Sequence, residues 1–190
     1  MRPGPADDPV DMTPTQRVTL GPDEGSVVVR TSKEGPMAKV AHDLVIEATS
    51  WQATVDLGGE PPVRAVALEV DPHSLVVRDG VGGVKPLSDD DRGRISSTID
   101  AKVLHGQAIS FRSDRILGDG PTLVVEGALT LAGQTHPLRA TLEVDGDGAI
   151  RGTIPVTQTA WGITPHSAMM GQLRVGDDVE VVVEARLPVA

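Results

Sequence analysis

A strict two-residue alternation of small aliphatic with polar side chains governs the second half of this chain and limits what it can fold into. Leu123, Val125, Leu129 and Leu131 share one parity, with Gly127 between them, while Glu126 and Thr130 take the other. Leu138, Ala140, Leu142 and Val144 repeat the pattern against Arg139, Thr141 and Glu143. Val179, Val181, Val183, Ala185 and Leu187 do so again against Glu180, Glu184 and Arg186. Successive side chains leave a strand on opposite faces, so each segment predicts a β-strand with one dry and one wet face. A sheet solvated on one side is antiparallel. Asp145-Gly-Asp147-Gly148 between two such runs predicts a hairpin turn.

The first half carries shorter runs of the same kind. Val27 and Val29, then Leu44, Ile46 and Ala48, then Trp51 to Leu57 and Val63 to Val70 are separated by Lys33-Glu-Gly35-Pro36, by Gly58-Gly59 with Pro61-Pro62, and by Asp71-Pro72. Leu75 to Val77 makes a short continuation. With 21 Gly and 15 Pro the chain suits strands and tight turns better than a helical bundle. About nine or ten strands follow, which favours a single antiparallel β-barrel, closed or nearly closed, over a sandwich. One helix, residues 89–104, interrupts them as a lid or plug: Ser88 caps it, Asp89, Asp90 and Asp91 occupy its first turn, Ile95, Ile99 and Val103 recur every four residues, and Gly106 lies just past its end. Residues 1–16, Pro/Asp-rich and without periodicity, read as a flexible leader to one domain over 17–190.

Charge and composition exclude several classes of function. A formal net charge of −10 repels phosphate backbones, and an aromatic content of 2%, with no Tyr, removes stacking platforms, so nucleic acid is not an expected partner. The absence of Cys removes disulfides, thiolate nucleophiles and Cys-based zinc sites. No run approaches the roughly 20 apolar residues of a membrane-spanning helix, and no signal peptide opens the chain, so the expectation is a cytoplasmic protein that does not span a membrane.

Catalytic motifs fare poorly. Gly80-Val-Gly82-Gly83-Val-Lys85 lacks the spacing of a phosphate loop, and Pro86 stands where its helix should begin. Asp145 to Gly148 departs from a calcium loop at its twelfth position, Val156. Asp89 to Asp91 complement a helix dipole rather than a metal. His42, His73, His105, His136 and His166 show no metal-binding spacing, and no G-x-S-x-G accompanies His42-Asp43. No enzyme, metal site or cofactor is expected.

The bulky side chains are few. Trp51, Phe111, Trp161, Met169 and Met170 are nearly all of them, and the inward strand positions are Val, Leu and Ala. A barrel filled by such small groups keeps an apolar interior space. Strand parity assigns the lining of that space to Leu123, Val125, Leu129, Leu131, Leu138, Leu142, Val181 and Val183. The five bulky residues are candidates for its mouth or for a guest's headgroup end. Arg112, Arg115 and His166 are further candidates to meet a guest's polar oxygen.

Three ordered stretches resemble the YceI-like polyisoprenoid-binding family. Val125-Glu-Gly127-Ala-Leu129-Thr-Leu131-Ala-Gly133-Gln-Thr135-His-Pro137-Leu138 is similar to its V-x-G-x-L-T-L-x-G-x-T-x-P-V core. Ala160-Trp161-Gly162-Ile163-x-Pro165 and Leu173-x-Val175-Gly176-Asp177-x-Val179-Glu180 are similar to its closing loop and last strand. Ala41-His42-Asp43-Leu44-Val45-Ile46 and Gly83-Val84-Lys85-Pro86-Leu87-Ser88 resemble a cytoplasmic, high-GC Gram-positive branch. The resemblance implies a lipocalin-like barrel, often a homodimer, that carries or stores an isoprenoid or similar fatty-chain lipid without catalysis. Two other readings stay open: a packed interaction or stress module without ligand, and a small hydrolase or isomerase using His42 and His166.

Overall fold

The computed structural model describes residues 16–58, 63–118 and 120–188. Its strands are β1 (Gln16–Leu20), β2 (Gly25–Arg30), β3 (Lys33–Glu34), β4 (His42–Ala48), β5 (Trp51–Leu57), β6 (Val63–Val70), β7 (Leu75–Gly82), β8 (Ile109–Leu117), β9 (Thr122–Leu131), β10 (Gln134–Val144), β11 (Ala149–Thr157), β12 (Ser167–Ala168), β13 (Leu173–Val175) and β14 (Asp178–Arg186). Eleven of them form one antiparallel sheet in the order β1-β5-β6-β8-β9-β10-β11-β14-β2-β4-β7, and β12-β13-β3 form a small second sheet. The leader expected over residues 1–16 lies outside the described residues, apart from Gln16, which opens β1.

Connectivity forces the large sheet to curl. β4 and β5 stand near opposite ends of the strand order, yet only Thr49 and Ser50 join them. Two residues reach about 7 Å at most, so the two flanks must touch there. The Thr49 N–H donates to the Ser74 carbonyl (3.0 Å) and the Asp71 N–H to the Ser50 carbonyl (3.0 Å), tying this corner to the β6–β7 turn. The result is a half-barrel of antiparallel strands, as the alternation predicted, with β1 and β7 as the ends of its ladder.

The helix closes the remaining side. α1 (Asp89–Thr98) begins with a capping box: the Asp91 N–H donates to Ser88 Oγ (3.2 Å) and the Ser88 N–H to Asp91 Oδ2 (3.2 Å). It continues through a wider π-type turn, Ile99–Leu104, and stops where His105 and Gly106 turn left-handed at φ 53° and 65°. It lies along β7, an end strand whose outer edge has no strand partner among the described residues; the Val77 N–H donates to Ser96 Oγ (3.0 Å) and Arg92 to the Arg78 carbonyl (3.3 Å). A helix covering an edge in this way removes a template for aggregation.

Buried side chains form two clusters. One gathers Val18, Leu20, Val27, Trp51, Val55, Val70, Leu123 and their neighbours at the corner. The other joins Phe111, Val125, Leu129, Ile154, Val156, Trp161 and Ile163. Gly127 is required in the second. A methyl group built on it would sit 2.8 Å from Phe111 Cζ and closer still to the Arg112 carbonyl oxygen. The Phe111 ring occupies the place a side chain would take.

Candidate functional site

Between the curled strands lies a cavity of about 790 Å³, within the range of roughly 300–1,000 Å³ typical of small-molecule sites. Its walls are the inward faces of the strands. From β1, β2, β5, β6, β8, β9, β10, β11 and β14 they contribute only apolar side chains. Leu131, Leu138, Leu142, Val181 and Val183 point inward and are still only partly buried. Space rather than protein stands against them.

Polar lining comes from elsewhere. Thr31 and Lys33 belong to β3 and its approach, His42 opens β4, Arg94, Thr98 and Lys102 belong to the helix, and Gln158, Thr164, His166 and Arg174 to the segment between β11 and β14. Strand register puts these segments at the same end of the sheet. Thr157 pairs with Asp178, Glu180 with Arg30, His42 with Gly82, and Gln134 with Leu131, which lies next to the Ser110–Thr130 pair. The helix leaves β7 at that end and runs back beside the strand, its Ser96 at Val77 and its Asp100 at His73, so it covers the open side. Ile95, Ile99 and Val103 turn toward the cavity, and the helix serves as its lid. The cavity is therefore an apolar tube with a polar mouth.

The mouth is held together by its own hydrogen bonds. The Lys33 N–H donates to Asp43 Oδ1 (2.8 Å), and its ammonium reaches Asp43 Oδ2 and the Val81 carbonyl, each at 3.2 Å. His42 Nε2–H donates to the Lys85 carbonyl (2.7 Å), anchoring the loop before the helix. The Val175 N–H donates to the His166 carbonyl (2.9 Å) and the Gly176 N–H to the Ser32 carbonyl (2.7 Å), so β13 knits the last loop to β3. At the far end of the lid, His73 Nδ1 meets Asp100 Oδ2 at 2.9 Å. That hydrogen bond, and then the carboxylate charge, raise the His73 pKa above its ordinary value.

Residues 39–187 match the YceI-like domain family. The chain belongs to it. The crystal structure of Burkholderia cenocepacia BcnA superposes with a TM-score of 0.62 at 15% identity, covering 86% of this chain and 96% of that one. The Campylobacter jejuni YCEI protein, a crystal with large solvent channels for nanotechnology applications, gives 0.55 at 12% identity, covering 76% and 85%. At such identities the likeness concerns the fold. No curated protein matches the chain.

In this YceI-like domain, Leu123, Val125, Leu129, Leu131, Leu138, Leu142, Val181 and Val183 all line the cavity. Trp51 and Phe111 line it too, and both are buried. The Trp51 indole N–H is buried without an acceptor among the described residues. Trp161, Met169 and Met170 are not among the lining residues. Trp161 is buried behind β9, its indole N–H donating to the Leu129 carbonyl (3.0 Å) and its ring edge-on to His136 at 5.7 Å. Met170 is 99% exposed, and Met169 beside it also projects outward. Both sit at left-handed φ. Arg112 and Arg115 lie on the wet face of β8, whereas His166 does reach the mouth. Lys33, Lys102 and Arg174 were not apparent as mouth residues from sequence. They carry no alternation, and only long-range topology brings β3, β13 and the helix to one cavity.

Proposed function

We propose that this YceI-like domain binds a long apolar chain, isoprenoid or similar lipid, in its cavity, for carriage or storage and without catalysis. The observation that carries the reading is the split lining: apolar walls along β1, β2, β5, β6, β8 to β11 and β14, with polar groups supplied by β3 and its approach, the start of β4, the helix and the segment between β11 and β14. Each methylene a guest buries there contributes about 0.8 kcal/mol, so a long chain needs few polar contacts to be retained. Membership of the YceI-like family agrees with the same reading.

The hydrolytic alternative finds little support. His42 and His166 both reach the cavity, yet among the described residues its lining contains no Ser, Asp or Glu to orient an imidazole or be activated by one. A packed module without ligand is disfavoured by the cavity's size. No helix among the described residues is long and apolar enough to cross a membrane. The reading extends to a homodimer in the cytoplasm, of the high-GC Gram-positive branch its upstream motifs resemble; light scattering and cell fractionation test the first two.

The direct test is organic extraction of the gently purified protein followed by lipid mass spectrometry. A prenyl or other long-chain lipid enriched in the extract, and a rise in Tm when that lipid is restored, are expected. An extract without lipid, and a Tm unmoved by added prenols, would overturn the reading.

A further inference from the structure

We propose that the rim formed by Val40, Val84 and Met170 docks this domain on an anionic lipid bilayer, so that an apolar chain passes directly between membrane and cavity. This rests on the carriage reading above and names the surface from which the cavity is filled. The charge concerned belongs to that surface and not to the guest.

Among the described residues the large apolar side chains exposed to solvent are Val40, Val81, Val84, Met169 and Met170. They come from three separate stretches of chain, and hydrogen bonds gather them in one place. The Gln172 N–H donates to the Met169 carbonyl (3.2 Å), the Met37 N–H to the Gln172 carbonyl (3.1 Å) and the Val40 N–H to the Met37 carbonyl (3.1 Å). Lys33 Nζ donates to the Val81 carbonyl (3.2 Å), and Lys33 itself pairs with Val175 of β13. His42, two residues from Val40, lies against Gly83 and donates to the Lys85 carbonyl (2.7 Å), on either side of Val84.

This patch runs into the cavity. Val40 is at once exposed and part of the lining, and Ala41, Ala168 and Leu173 of the same segments line it too. A protein partner needs no such continuity, whereas an apolar chain leaving a bilayer does. Met169 and Met170 both hold left-handed backbone, at φ 53° and 55°, which residues other than glycine adopt at a cost. That turn sets Met170 almost wholly in water, where an apolar surface has the most to gain from a new apolar neighbour.

Local charge fits the same occupant. Residues 35–41, 83–88 and 158–172, the loops that carry or adjoin the patch, contain Lys39 and Lys85 and no Asp or Glu, in a chain of net charge −10. Neither lysine makes an ion pair among the described residues. Of the carboxylates next along the chain, Asp43, Asp89 and Asp91 are paired with Lys33, Arg92 and Arg94, and Glu34 faces Arg174 across the β3–β13 ladder; Asp79 and Asp90 have no cation. Acidic turns stand at the other end of β14. There the Arg186 N–H donates to the Glu24 carbonyl (2.9 Å) and its guanidinium to Asp147 Oδ2 (2.8 Å), while the start of the strand joins the patch segments through the Gly176 N–H and the Ser32 carbonyl (2.7 Å). The nine residues of β14 separate these ends by about 27 Å, roughly three Debye lengths at physiological salt. The acidic turns are thus screened from a surface at the patch, and the two lysines act on it locally.

The test is cosedimentation of the full chain with vesicles of phosphatidylcholine alone or of equimolar phosphatidylcholine and phosphatidylglycerol. Binding to the anionic vesicles is expected, weakened by salt, with less to the neutral ones. Met169→Asn/Met170→Asn removes apolar surface with a residue that accepts left-handed backbone, so Tm should hold while partitioning falls about tenfold or more. Lys39→Gln/Lys85→Gln should weaken binding to the anionic vesicles by about fivefold for each lysine. Arg112→Gln, on the wet face of β8, should bind as the parent does. Without vesicles, the methionine variant should take up farnesol as the parent does. Absence of vesicle binding by the parent, or undiminished binding by both double variants, overturns docking and leaves carriage standing. A fall in light-scattering mass on substituting the methionines would assign the patch to a second copy of the chain and overturn docking likewise. Failure of the parent to bind farnesol overturns carriage and the docking that rests on it.

Discussion

His73 Nδ1 lies 2.9 Å from Asp100 Oδ2, and this contact fastens the far end of the lid to the corner where the sheet folds over. Hydrogen bonding to Asp100, and secondarily its charge, hold the His73 pKa above the ordinary 6.5. A raised folded-state pKa means the contact contributes fully below the ordinary value and is lost as pH rises through the raised one. The lid should therefore loosen on the alkaline side. Hydrogen exchange of amides 99–104, corrected for intrinsic rates, should show lower protection above that titration than below it. His73→Gln should abolish the difference; an unchanged difference in that variant would assign the pH effect elsewhere.

Gly127 leaves room for the Phe111 ring and for the Arg112 carbonyl. Gly127→Val cannot be accommodated by a side-chain rotation, because one obstacle is backbone. Overpacking of this kind costs about 1–3 kcal/mol or more. A marked fall in Tm is expected on thermal melting. Gly93→Ala, on the helix with nothing within 4 Å of the added carbon, should leave Tm unchanged or raise it.

The two tryptophans report different things. Trp51 lines the cavity, while Trp161 is buried behind β9 and hydrogen-bonded to the backbone. A guest should change the emission of Trp51 and leave that of Trp161 nearly constant. Trp51→Phe should erase the titration signal; Trp161→Phe should retain it, with a loss of stability of about 1–3 kcal/mol because the Leu129 carbonyl loses its side-chain donor.

Filling the void should separate binding from folding. Val183 faces the cavity opposite Val27 and Gly152 and is only partly buried. Val183→Trp places its bulk in space rather than in neighbours, so the variant is expected to fold with a Tm near that of the parent. It should lose guest binding. A variant that binds as the parent does would put the guest somewhere else.

Much of the wall was legible from alternation, since β9, β10 and β14 keep strict parity and their inward residues are those the pattern picked out. Other strands were harder to read for local reasons. In β8 the register shifts between Ser113 and Arg115, leaving Asp114 as an extra residue that breaks the period. In β11, Gly152 and Pro155 interrupt the apolar series, although both stay in register with β14. β7 runs on through Gly80 and Gly82 because its pairing with β4 depends on backbone rather than side chains. The helix was plain from Ser88 and the spacing of Ile95, Ile99 and Val103. Bulk is a poor guide to the cavity lining: Met170 is large and apolar yet projects from a left-handed turn into solvent. The polar lining had no sequence signature, because Lys33, Lys102 and Arg174 come from separate segments that only long-range topology brings to one cavity.

Native mass spectrometry of the full chain with a farnesyl or longer prenyl lipid tests the central claim, that the curled sheet encloses a site for an apolar chain. The prediction is a one-to-one adduct for the parent and none for Val183→Trp. Adducts of equal abundance in both, or in neither, would contradict it.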